Sequence, residues 1–529
     1  MKTLPLILHS VLFGLVQSAS LEVKLTSGTF LGVSTPNGTD QWLGIRYGTP
    51  PVGDLRFKAP VAITQPNTTT VQDASTFGNA CPQRPATDLG APLSEDCLFL
   101  NVFRSQNTTA DAKVPVLVWI HGGAYTDGAA SEAEFDPTRI LTQSVAVGKP
   151  IIFVSINYRL NTFGFLSSSL VAPEDLNAGL LDQRLAFEFV QDNVAAFGGD
   201  PTKVTIWGQS AGAGSVESHI LYSSNRTLFR AGMGDSSTGP LRVFVVRCKS
   251  SPPASTYDRP GLPFSNLLKA SGCTFGPEAI PCLQSIPFET LLNISNTLID
   301  GALNGQLWQP SIGPPGSFAD VEASIKIQSK EFLHVPYLGG TNVNEGTIFS
   351  PSIEGLGLTG AAQNEAFINF IGHLVIDNST LTEDANDPLL GAPFNTGDSL
   401  FDRGEAWYTD EFFLSPRRLF FENAAALQPY FIPGQNPMLG VAHATELLLL
   451  FGPVPTAVED TFANQMLNFY INFINDMNPG SPWPEYSTAA NANNVMQLLR
   501  NNIIAIPDTW DIDKTDFLNT QKVLDEFQK

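Results

Sequence analysis

Gly208-Gln209-Ser210-Ala211-Gly212 occurs once in the chain, directly after the apolar run Val204-Thr205-Ile206-Trp207. A serine set between glycines at the end of a strand suits nucleophilic acyl chemistry. A sharp strand-to-helix turn strains the nucleophile's backbone, and the flanking glycines avoid side-chain collisions there. Ser210 would then stand at the carboxyl edge of a sheet and at the N-terminus of the next helix, where developing negative charge is favoured. In isolation the pentapeptide is equally a glycine-rich turn; its place between strand and helix singles it out.

A serine hydroxyl needs a base, and the chain has six histidines. His9 lies in an apolar leader. His121 sits at a strand end before two glycines, where it shapes a loop. His219 follows Ser210 on the same helix and points away along it. His334 precedes a strand, and His373 lies in an apolar helix-like stretch. His443 remains, in Gly440-Val441-Ala442-His443-Ala444-Thr445-Glu446, ahead of the helix-like Leu447 to Leu450. It also lies far downstream, where a Ser…acid…His order puts the base.

The third member must be a carboxylate that orients the imidazole and stabilises its charged form. Glu345, in Asn342-Val343-Asn344-Glu345-Gly346, follows a strand ending Tyr337-Leu338-Gly339-Gly340. Strand ends on one sheet edge are where catalytic groups gather; a solvated turn glutamate fits the residue as well. Backbone donors for an oxyanion are expected from Gly123 and Ala124, in His121-Gly122-Gly123-Ala124, and from Ala211 after the serine.

The elements that must position these groups are legible between residues 110 and 230. Val114 to Ile120 and Ile151 to Ile156 read as buried strands, and Leu181 to Asn193 has helical spacing. Gly198-Gly199-Asp200-Pro201 breaks the chain before the strand at Val204. Farther on, a strand is expected near Val335 to Leu338 and a helix from Phe462 to Ile474. Continuous apolar strands separated by helices indicate an α/β fold whose sheet is covered on both faces. No linker or repeat divides residues 21–529, which read as one domain.

A net charge of −22, with 29 scattered Lys and Arg, argues against nucleic acid and for a soluble monomer. Met1-Lys2, the apolar Leu4 to Val16 and the small residues to Ser20 read as a secretory signal peptide, residues 1–20. That run is too short to span a bilayer, and the charged Asp525 to Lys529 is no lipid-anchor tail. In an oxidising compartment Cys81 with Cys97, and Cys273 with Cys282, are natural local disulfides; the spacings fit no zinc ligand set. Cys248 is left over. Six sequons, at Asn37, Asn67, Asn107, Asn225, Asn293 and Asn378, are candidate glycosylation sites. No metal or organic cofactor is implied.

The chain resembles the type-B carboxylesterase/lipase family, which includes the cholinesterases and secreted fungal lipases. The resemblance rests on Glu95 to Val102, His121-Gly122-Gly123, Asn157-Tyr158-Arg159, Asp182-Gln183-Arg184, Phe197 to Pro201, the Ser210 turn, Asn344-Glu345-Gly346 and His443. It implies an α/β-hydrolase fold, a glutamate as the acid and hence Glu345, and both local disulfides. Gln209 stands where the family often has glutamate, and Ala124 where many members have a third glycine. The Cys81–Cys97 loop lacks the tryptophan that contacts quaternary ammonium in cholinesterases, so choline esters are not the expected substrate. That loop is also short beside the lids of the related lipases.

Leu241 to Ser255, with Cys248 and a Val243-Phe244-Val245-Val246 run, has no counterpart in the family pattern. It reads as a translated retained intron or a lineage-specific loop; sequencing the transcript decides, and a message that encodes it continuously sinks the intron reading. The expected activity is hydrolysis of carboxylic esters of small molecules or lipids, with sterol or hydroxycinnamoyl esters as alternatives. Some members of the fold family are adhesion proteins without catalysis, but these typically lack a member of the triad.

Overall fold

The computed structural model describes residues 21–65, 69–237, 253–372, 399–425, 430–431, 433–434, 442–454, 457–488, 493–500 and 502–527. The expected leader, Cys248 and most of its segment, His373, Asn67 and Asn378 lie outside the described residues.

Among the described residues, nine strands form the main sheet: β1 (Val33–Ser34), β2 (Thr39–Arg46), β3 (Phe99–Ser105), β4 (Val114–Ile120), β5 (Ile152–Ile156), β6 (Gly199–Gln209), β7 (Ala231–Asp235), β8 (Tyr337–Gly340) and β9 (Tyr430–Phe431). Their spatial order is β9-β8-β7-β6-β4-β5-β3-β2-β1. Strands β4 to β9 all pair in parallel; from the β5–β3 pair onward to β1 the pairing is antiparallel. The architecture is α/β, as the alternation of apolar runs and helices requires.

Strand alternation sorts the core. Val116, Val118 and Ile120 of β4, with Val204 and Ile206 of β6, bury against α2 (Ala178–Asn193) and α3 (Ala211–Leu221) through Leu180, Val216 and Ile220. The intervening Leu117, Trp119 and Trp207 face the other side. There they meet Ile140 and Leu141 of α1 (Thr138–Ala146) and Leu467, Ile471 and Ile474 of α4 (Ala457–Asp476). Both faces are covered, so the central strands read as unbroken apolar runs.

The break before β6 falls earlier than its sequence suggests. Gly198 turns with φ +89°, and the strand already begins at Gly199, paired with Val114. A register irregularity between Val114 and Val116 accommodates Asp200-Pro201. The helix expected from Phe462 is longer, spanning Ala457–Asp476. Cys81–Cys97 and Cys273–Cys282 are both disulfide-bonded.

Candidate active site

Ser210 has φ +56° and ψ −121°, a combination that ordinary residues avoid. The glycines around it make that turn possible. A Cβ on Gly208 would lie 2.3 Å from the Gly212 carbonyl carbon, and one on Gly212 would lie 2.1 Å from the Ile120 carbonyl oxygen. The Ser210 N–H donates to the Asp235 carbonyl at 2.9 Å, tying the turn to β7. Its hydroxyl therefore stands at the first turn of α3, at the carboxyl end of β6.

Glu345 begins a short turn just beyond β8. One carboxylate oxygen accepts from His443 Nδ1 at 2.6 Å and the other from the Asn342 N–H at 2.5 Å. The Glu345 side chain is fully buried. Phe349 and Phe413 pack against the imidazole, with centroids 5.2 and 5.1 Å away. Beyond His443, Leu447–Leu450 forms a helical turn leading to Phe451, which stacks on Trp207 at 5.4 Å. The histidine is thus anchored from the far face of the sheet.

The N–H groups of Gly123, Ala124 and Ala211 donate to no acceptor among the described residues. Gly123 and Ala124 have φ of +96° and +54°. The Gly123 carbonyl accepts from Thr126 at 2.8 Å and Asp127 at 3.0 Å, fixing the loop with its own donors unspent. Ser210, His443, Gly123 and Ala124 all line one cleft of about 640 Å³. Arg84, Asp88 and Leu89 of the Cys81–Cys97 loop form part of its wall, with Glu132, Phe135 and Phe349.

Two other histidines, His219 and His121, are buried away from the imidazole of His443. His219 is buried, 3.0 Å from Gln183 Oε1 and edge-on to Phe187. His121 stacks on Tyr158 at 4.5 Å, and burial holds its pKa down to about 4. Sequence reasoning gave no place to four acids and amides behind and beside the imidazole. Asn342 Nδ2 donates to Glu446 Oε2 at 2.6 Å and to the Ala442 carbonyl at 3.2 Å. Asp235 accepts from Trp207 Nε1 at 2.7 Å and Tyr470 OH at 2.6 Å. Burial first, then the Glu345 charge, raises Asp235 to about 6, and burial first, then the charges of Asp235 and Glu345, raises Glu446 to about 8. Gln209 places its amide 3.1 Å from His443 Nε2. The sequence signal for Glu446 was its place three residues after His443; Asp235 carried none.

An open, mostly parallel sheet that spends its carboxyl edge on a strained serine and a carboxylate-held imidazole is built for acyl transfer, and the chain is of the α/β-hydrolase class. The model of the Carboxylesterase family matches residues 19–513. The chain belongs to the carboxylesterase family and is a carboxylic ester hydrolase. It is 32% identical over 509 residues to Secreted lipase 1 of Botryotinia fuckeliana (strain B05.10), covering 85% of this chain and 84% of that one. Against Lipase 1 of Geotrichum candidum it is 33% identical over 498 residues, 83% of this chain and 84% of that one. The crystal structure of Aspergillus niger EstA is similar with a TM-score of 0.78 at 25% identity, covering 97% of this chain and 99% of that one.

Proposed function

We propose that the chain hydrolyses neutral carboxylic esters, lipid acyl esters among them, through an acyl-enzyme on Ser210. The 2.6 Å contact of Glu345 with His443 Nδ1, opening on the cleft that holds Ser210, is the observation that carries this reading. Ser210 Oγ attacks the ester carbonyl carbon while His443 Nε2 takes its proton. The oxyanion accepts from the N–H groups of Gly123, Ala124 and Ala211. Collapse expels the alcohol, which leaves with the proton from His443. Water, deprotonated by His443, then frees the acid and restores Ser210. Glu345 holds the ring and its developing charge throughout.

The lipase names of the relatives favour a lipid acyl group, and the two disulfides favour secretion. Asn37, Asn107, Asn225 and Asn293 are exposed, which supports glycosylation at these four. Among the described residues no helix is long and apolar enough to cross a membrane. We read residues 21–529 as one domain acting as a monomer, because distant segments complete a single cleft. Turnover of p-nitrophenyl esters from acetate to palmitate, with Ser210→Ala beside the parent, tests the reading. Loss of turnover in the variant is expected; unchanged turnover would falsify the mechanism.

A further inference from the structure

We propose that Gln209 caps the general base in the resting enzyme, holding the His443 atom that must receive the Ser210 proton. This rests on the assignment of Ser210 as nucleophile and His443 as base. Gln209 Nε2 lies 3.1 Å from His443 Nε2, while His443 Nδ1 lies 2.6 Å from Glu345. With Nδ1–H donating to the carboxylate, a neutral ring leaves only a lone pair on Nε2, which accepts from the carboxamide N–H. Among the described residues, no hydrogen bond joins Ser210 Oγ to His443.

Local packing makes the contact a built one. Gln209 is only 4% exposed. It precedes Ser210 directly, so cap and nucleophile share one strand end. Gly122 leaves room for both: a Cβ there would lie 2.9 Å from Gln209 Oε1 and 3.1 Å from Ser210 Cβ. Phe349 and Phe413 hold the imidazole in place, so uncapping falls to the glutamine.

Uncapping exchanges one hydrogen bond for another, with no change in proton count. The Gln209 N–H···Nε2 bond breaks and the Ser210 O–H···Nε2 bond forms. Once Nε2 carries the serine proton it becomes a donor, and the amide N–H can no longer face it. The cap therefore closes only on the neutral ring, between turnovers. A glutamate at this position has no N–H and could not cap in this way.

The test is the rate at which phenylmethylsulfonyl fluoride modifies the full chain, with the adduct located by mass spectrometry. Gln209→Met and Gln209→Leu keep side-chain bulk and lose the N–H. Both are expected to react about 3- to 10-fold faster than the parent, the range that release of one neutral hydrogen bond allows. In histidine-labelled protein, the His443 Nε2 ¹⁵N resonance of either variant should also move from that of the parent. A merely structural glutamine would give slower reaction; slower or unchanged rates, or an unmoved resonance, overturn the cap. The parent with Ser210→Ala separates the two claims. An adduct that persists there sinks the assignment of Ser210, whereas a Ser210 adduct formed at the parent's rate in the Gln209 variants sinks only the cap.

Discussion

Asn342 bridges the two acids behind the imidazole: its backbone N–H reaches Glu345 Oε1, and its side-chain amide reaches Glu446 Oε2 at 2.6 Å. Glu446 is buried beside Asp235 and Glu345, and burial first, then those charges, lift its pKa from 4.5 to about 8. The folded state therefore binds a proton that the unfolded chain releases near its ordinary value. Stability from this group is fully present below about pH 4.5 and is lost as pH rises towards 8, at up to about 1.4 kcal/mol per pH unit. Glu446→Gln should flatten that decline and be the more stable protein at pH 8. Urea unfolding from pH 4 to 9 checks it; parallel curves for the two proteins would refute the buried neutral acid.

Gly123 tests the oxyanion loop. With φ +96°, an added Cβ would lie 2.1 Å from the Asp127 carbonyl oxygen. The loop must shift, and the free N–H groups of Gly123 and Ala124 shift with it. Gly123→Ala should lower kcat on p-nitrophenyl butyrate by about 10²–10³-fold, as loss of one such donor does. KM should change far less, because donors in the proposed oxyanion role act on the transition state. A kcat near the parent's would remove this loop from the mechanism.

Much of this was legible in the residues, for identifiable physical reasons. Ser210 and β4 announce themselves because turn chemistry and burial on both faces leave local patterns. Glu345 was ambiguous, since a turn glutamate looks the same whether solvated or fully buried. Gln209 was visible only as a departure from a family habit, and its contact with His443 crosses 234 residues of sequence. Asp235 left no trace at all: it ends a strand in Ala231-Gly232-Met233-Gly234-Asp235, and only its partners Trp207 and Tyr470 reveal it. The start of β6 was misplaced because Asp200-Pro201 signals a break that a register irregularity absorbs.

Arg159 and Asp182 form a buried pair joining the segment after β5 to α2, with contacts of 2.7 and 2.8 Å and a backbone N–H at 3.0 Å. Removing one partner strands a charge where water cannot reach it. Asp182→Ala should cost about 3–5 kcal/mol in urea unfolding. Arg159→Met combined with Asp182→Leu should recover most of that loss, because an apolar pair of similar volume strands no charge. A double variant as unstable as Asp182→Ala would show that the pair's geometry, not its charge, holds the two elements.

The two disulfides should separate cleanly in their effects. Cys81–Cys97 closes a loop that contributes Arg84, Asp88 and Leu89 to the cleft wall, whereas no residue between Cys273 and Cys282 lines the cleft. Replacing Cys81 and Cys97 by alanine should cost about 3 kcal/mol from loop entropy. Glu95 still holds its end of the loop through Arg56, at 2.5 and 2.7 Å, so the wall loosens without detaching. KM for long acyl esters should rise while kcat on p-nitrophenyl acetate stays close to the parent's, because Ser210, Glu345 and His443 are anchored elsewhere. The matching pair of changes at Cys273 and Cys282 should lower the melting temperature and leave both constants alone. Acyl-length series on the two variants check this, and a fall in kcat at constant KM from the first would place the loop in support of the catalytic groups rather than the wall.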